Sequence, residues 1–115
     1  MSEFRIRSSR RADREVLTIL EWLQSKSPVG AARWLDAFEA IQSRIVSDPH
    51  SFELADESDL FDEPVKQALF RTPRGNTYRA LFVVRDTTVT VVSVRGPGQP
   101  PVRPEDLGSG MFAAH

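Results

Sequence analysis

Hydrophobic and polar positions change their period several times along this chain, and each change marks an element. In "EFRIRSS", residues 3–9, Phe4 and Ile6 alternate with Arg5 and Arg7, the period of a short strand with one buried face. Ser8 and Ser9 follow, and either side chain suits a helix N-cap. Val16, Ile19, Leu20 and Leu23 then fall at helical spacing, with Leu17 widening the stripe, and predict a helix from about Arg10 to Gln24. "SKSPVG" breaks that helix and starts another. Ser27 is a good cap, and Pro28 fits the first helical position, where its missing N–H costs nothing. Ala31, Trp34, Leu35, Phe38, Ile41 and Ile45 give the clearest periodicity in the chain, and Asp48-Pro49 ends it. Two helices with so short a connection predict an αα-hairpin.

The second half shifts to period two. Val65–Thr72 reads as a strand, "PRGN" as a turn, and "TYRALFVVR" and "TVTVVSVR" as two long strands joined at Asp86-Thr87. Tyr78, Ala80, Phe82 and Val84 share one face; Arg79, Leu81, Val83 and Arg85 share the other. The order β-α-α-β-β-β predicts a two-layer α+β fold, an antiparallel sheet with the helix hairpin on one face and the other left open. The Pro- and Gly-rich tail leaves room for one helical turn near Pro104–Leu107. The expected domain is 1–107, with 108–115 a loose tail.

Charge adds a feature that the net value of −1 hides. Residues 48–63 carry Asp48, Glu53, Asp56, Glu57, Asp59, Asp62 and Glu63 with no Lys or Arg; residues 64–104 carry Lys66, Arg71, Arg74, Arg79, Arg85, Arg95 and Arg103 against Asp86 alone. An acidic connection therefore precedes a basic sheet. The chain has no cysteine, which removes disulfides and thiolate metal sites. No apolar run approaches the ~18 residues of a membrane span, and the N-terminus lacks the apolar core of a secretory signal. These features predict a soluble, cytoplasmic protein with no membrane role.

Familiar catalytic spacings are absent. There is no Gly-rich phosphate loop and no paired-histidine metal motif, and the two histidines, His50 and His115, have no partners in sequence. The acidic stretch lacks the spacing and glycine of a calcium loop, so neither metal nor cofactor is expected. The candidate chemistry is arginine on a sheet, whose planar fork suits phosphate or carboxylate. Arg79 and Arg95 fall on adjacent strands and could flank one anion, with Lys66, Arg71 and Arg74 extending an anion- or target-binding patch. The alternative is that their stems simply cover apolar neighbours.

The run "VKQALFRTPRGNTYRALFVVRDTTVTVVSVRGPGQPPVRPEDL", preceded by a strand, a helix hairpin and an acidic loop, resembles the RelE/ParE superfamily of bacterial type II toxins over roughly residues 3–107. The "SPVGAARWLDAFEAIQSRIVSDP" segment is similar to that family's second helix. The resemblance implies a growth-inhibiting toxin neutralised by a cognate antitoxin, of the kind found in plasmid stabilisation modules. It also implies one of two targets. RelE-like members cleave mRNA in the ribosome; ParE-like members inhibit DNA gyrase by binding. In the first case Arg79 and Arg95 would be the catalytic cations, and alanine at both would abolish cleavage while sparing the fold. This chain ends its last strand in Arg95-Gly96-Pro97-Gly98, where many relatives place a histidine, and offers no evident proton carrier there. The gyrase reading is therefore preferred. A ribosome-dependent endoribonuclease and a degenerate module that only binds antitoxin are the alternatives. Antitoxin contact is expected on the outward positions of the helix hairpin or in the groove between it and the sheet.

Overall fold

The computed structural model describes residues 3–107; the predicted loose tail and His115 lie outside the described residues. Its elements are β1 (Arg5–Ser8), α1 (Arg10–Lys26), α2 (Pro28–Ser47), β2 (Lys66–Phe70), β3 (Tyr78–Arg85) and β4 (Thr88–Arg95), with 3-10 turns at Pro49–Ser51, Asp56–Leu60 and Pro104–Leu107. The β-α-α-β-β-β order is as expected.

Local chemistry accounts for the helix ends. The Ser9 hydroxyl accepts the Ala12 N–H at 3.1 Å, and the Ser27 hydroxyl accepts the Gly30 N–H at 3.0 Å. The backbone N–H of Ser27 also closes α1 onto the Leu23 carbonyl, at 2.7 Å, so a single residue ends one helix and starts the next. Ala31, Trp34, Phe38, Ile41 and Ile45 of α2 are buried. Leu17 and Leu35, assigned to the apolar stripes by spacing, are 55% and 37% exposed. Each sits about 100° round the helix from the core-facing residue before it, the partly buried Val16 or the buried Trp34.

The sheet order is β1-β4-β3-β2. One expectation needs correcting: the sheet is mixed, because β1 pairs parallel with β4, Ile6 opposite Val89, while β2–β3 and β3–β4 are antiparallel. By that pairing β2 runs in the same direction as β1. The helix hairpin and the connection 48–65 carry the chain from β1 at one edge to β2 at the other, and β2 and β3 lead back to β4, which lands parallel beside β1.

That connection overturns a second expectation. The helix face carries the main core, where Trp34 stacks on Phe38 at 5.4 Å and meets Tyr78 edge-on at 5.5 Å, above Ala80, Phe82, Val89 and Val91. The other face is not left open. Ala55, Phe61 and Val65 of the connection and Val102 of the tail pack there on Leu81, Val83 and Val92. A β-bulge sits between them, since Leu81 pairs with Ser93 but Phe82 with Val91, leaving Val92 extra. The bulge changes the phase of β4, so that Val94 rather than Ser93 joins Val89 and Val91 in the helix-side core.

Candidate functional site

Arg79 and Arg95 are Cα partners across β3 and β4, as predicted, but their guanidinium groups hold different carboxylates. Arg79 forks onto Glu57, Nη1 to Oε1 at 2.8 Å and Nη2 to Oε2 at 2.7 Å. Its Nη1 also donates to Gln67 Oε1 at 3.0 Å. Glu57 Oε2 accepts a further bond from the Val102 N–H at 3.1 Å. The Glu57 side chain is 1% exposed and that of Arg79 25%. The Arg79 hydrogen bonds outweigh the cost of burial and pull the Glu57 pKa down to about 2; those same bonds raise the Arg79 pKa.

Arg95 is held by other groups. Its Nη1 donates to Glu15 Oε2 of α1 at 3.2 Å, and its Nη2 to the Pro100 carbonyl at 2.7 Å. The other oxygen of Glu15 accepts the Ser93 hydroxyl at 2.8 Å and the Val94 N–H at 3.0 Å. Residues 92–95 of β4 extend past the end of β1, and their outer backbone groups would otherwise lack partners. Glu15, together with Ser9, whose hydroxyl donates to the Val92 carbonyl at 3.3 Å, serves in place of the missing strand.

The five basic residues picked out by spacing are thus dispersed. The Lys66 ammonium donates to the Phe52 carbonyl at 2.7 Å. Arg74 lies exposed in the β2–β3 turn, with a φ of 64°. Arg71 lines an open groove of about 480 Å³ between α2 and β2, together with Arg44, Ala37, Ala40 and Leu69. Leu69 is 49% exposed although it stands in a strand. The Gln67 N–H pairs outward with the Glu53 carbonyl at 3.0 Å; alternation therefore also turns the N–H and C=O of Leu69 outward, beyond the covering segment. This groove combines an apolar floor, two cations and a free strand edge.

Sequence reasoning did not find Glu57 and Glu15. The signal for Glu57 was present as sign complementarity between the acidic connection and the basic sheet. Glu15 carried no signal, being one acid on a helix with many charges. Among the described residues no three His, Asp or Glu side chains gather closely enough to hold a metal ion, and no helix is long and apolar enough to cross a membrane. No family model matches the chain, and no curated protein matches it.

Proposed function

We propose that this chain is the toxin of a bacterial type II toxin–antitoxin module, and that it arrests growth by binding DNA gyrase in the cytoplasm rather than by cleaving mRNA in the ribosome. The order of elements and the β-rich run that carry the resemblance support the module. The observation that favours the gyrase reading is the Arg79–Glu57 fork. An RNase needs cations free to meet the charge developing on a scissile phosphate, with a proton carrier beside them. Here Arg79 and Arg95 already hold carboxylates of their own chain. Tyr78, the only tyrosine, is buried against Trp34 on the other face.

The neutralising antitoxin is assigned to the α2–β2 groove. Its occupant is an extended segment, apolar where it meets Ala37 and Ala40 and acidic where it meets Arg44 and Arg71, adding a strand at Leu69. Such a segment is disordered alone and folds on contact.

Pulse-labelling of DNA and protein synthesis after inducing this chain alone tests the reading. An early fall in DNA synthesis is expected; a prior fall in protein synthesis would overturn the choice of gyrase. Growth that continues unchanged, with no binding to the product of the neighbouring gene, would overturn the module itself. An R44E/R71E variant should still arrest growth yet escape neutralisation.

A further inference from the structure

The strand edge opposite the groove belongs to β1, which has no outer neighbour. Parallel pairing sends the N–H groups of Arg5 and Ser9 to the carbonyls of Thr87 and Val91, each at 2.9 Å, so the Ile6 N–H between them turns outward. The Ile6 side chain packs towards the helix-side core, which places Arg5 and Arg7 together on the other face, both exposed. With Thr88 they line an open hollow of about 380 Å³. Arg5 Nε donates to Thr88 Oγ1 at 3.2 Å, which steadies the guanidinium and leaves its two Nη groups for another acceptor.

These arginines differ from those of β3 and β4 in one decisive respect. Arg79, Arg85 and Arg95 each hold a carboxylate. No carboxylate among the described residues lies within ion-pair distance of Arg5 or Arg7, although Glu3 and Asp86 belong to the same end of the sheet. The acidic connection passes along β2 at the opposite edge, where Leu54 bridges to Lys66, so the chain's overall charge of −1 does not cancel this local positive field.

We propose that Arg5, Arg7 and the Ile6 N–H form a phosphate-binding edge that takes the backbone of a nucleic-acid strand without reading its sequence. Two same-face residues of a strand stand about 6.6 Å apart. Consecutive phosphates of one DNA strand are separated by a similar distance, about 6–7 Å once the sideways step of the helix is added to the ~3.4 Å axial rise, so each guanidinium fork meets its own phosphate. No aromatic side chain lines the hollow, so no base is stacked or selected. This surface is separate from the α2–β2 groove and does not depend on the antitoxin.

The test is fluorescence anisotropy of a labelled random-sequence DNA duplex with the full chain between 50 and 200 mM salt. Two phosphate contacts contribute a slope of about −1.8 in log K against log salt, or about twelvefold over that range. An R5A/R7A variant should lose that share of the slope with its melting temperature unchanged, and R5K/R7K should keep it. Unchanged duplex binding by R5A/R7A would overturn the proposal. So would Arg5- and Arg7-dependent binding to phosphatidylglycerol vesicles without binding to duplex. If R5A/R7A dimerises while duplex binding persists, the two arginines only keep the strand edge from pairing, and the proposal falls.

Discussion

The two faces of the sheet are buried by different means. On one, α1 and α2 bring large side chains onto Ala80, Phe82, Val89 and Val91, and their backbones satisfy themselves within the helices. On the other, an irregular connection and tail lie against Leu81, Val83 and Val92. Irregular backbone arrives with N–H groups that need acceptors. That face accordingly contains polar anchors: the Ser58 hydroxyl accepts the Val65 N–H at 2.9 Å, and Glu57 accepts the Val102 N–H at 3.1 Å. Helices can cover a sheet with apolar surface alone, whereas loops need a hydrogen-bonding residue at each point where they are fastened. Arg79 and Arg85 belong to this second arrangement, each holding a carboxylate of the connection, which is why neither is a free cation.

The comparison is tested first by its largest effect. Phe82→Ala on the helix face should cost about 3–5 kcal/mol, read from the urea midpoint, because its cavity is walled by Val91 and by Phe52, whose ring lies 5.7 Å away. Arg79→Ala should come next, at about 3 kcal/mol, by stranding a carboxylate that is 1% exposed. Glu57→Ala should cost less, about 1–2 kcal/mol, since the guanidinium left behind is already 25% exposed and hydrates. Equal losses for the two would mean that the pair is more open than its burial indicates. This ordering also governs how the proposed toxin activity is tested: any loss of growth arrest in Arg79→Ala reports a weakened fold unless melting is measured beside it.

The helix face was legible because periodicity is a property of contiguous residues. Trp34, Phe38, Ile41 and Ile45 declare their shared face without reference to anything else. Tyr78, too, was grouped with Ala80 and Phe82 by alternation alone, and all three are buried. The loop face was not legible. Nothing in the acidic stretch states that Ala55 and Val65 fold back over β3, or that the chain passes 22 positions between Glu57 and Arg79 to close a fork. Alternation gave the right face for Arg79 but could not say what covered it. Parallel pairing of β1 was hidden for the same reason, since direction depends on where the connection 48–65 returns. In the groove, Arg71 was found by its charge, whereas Arg44 belonged to the helix and was passed over.

Acid separates the two faces without any substitution. The folded pKa of Glu57 lies near 2, below its ordinary value of 4.5. Its stabilisation is therefore complete above about pH 4.5 and is lost as pH falls towards 2. Unfolding free energy should decline over that window in the native chain and decline less in Glu57→Gln, measured by urea titration at each pH. Phe82→Ala should keep the native slope, because no titrating group sits in its cavity wall. The Arg79→Ala penalty should shrink as pH drops, since the stranded carboxylate then takes up a proton.

The smallest effect addresses the tail. Val102 is 1% exposed and, among the described residues, is the apolar side chain through which the tail enters the second core. Val102→Ala removes two methyl groups there, a loss of about 1.6 kcal/mol at ~0.8 kcal/mol for each buried carbon. The backbone bond from residue 102 to Glu57 survives the change, as does the Arg95 bond to the Pro100 carbonyl. The tail should therefore stay attached but open more often, and hydrogen exchange should speed up at residue 102 before it does in β3. If exchange instead rises equally across β3 and the tail, the second face opens only with the whole molecule. The anchors would then fasten it as tightly as helices fasten the first, and the contrast between the faces would be one of composition without a difference in local stability.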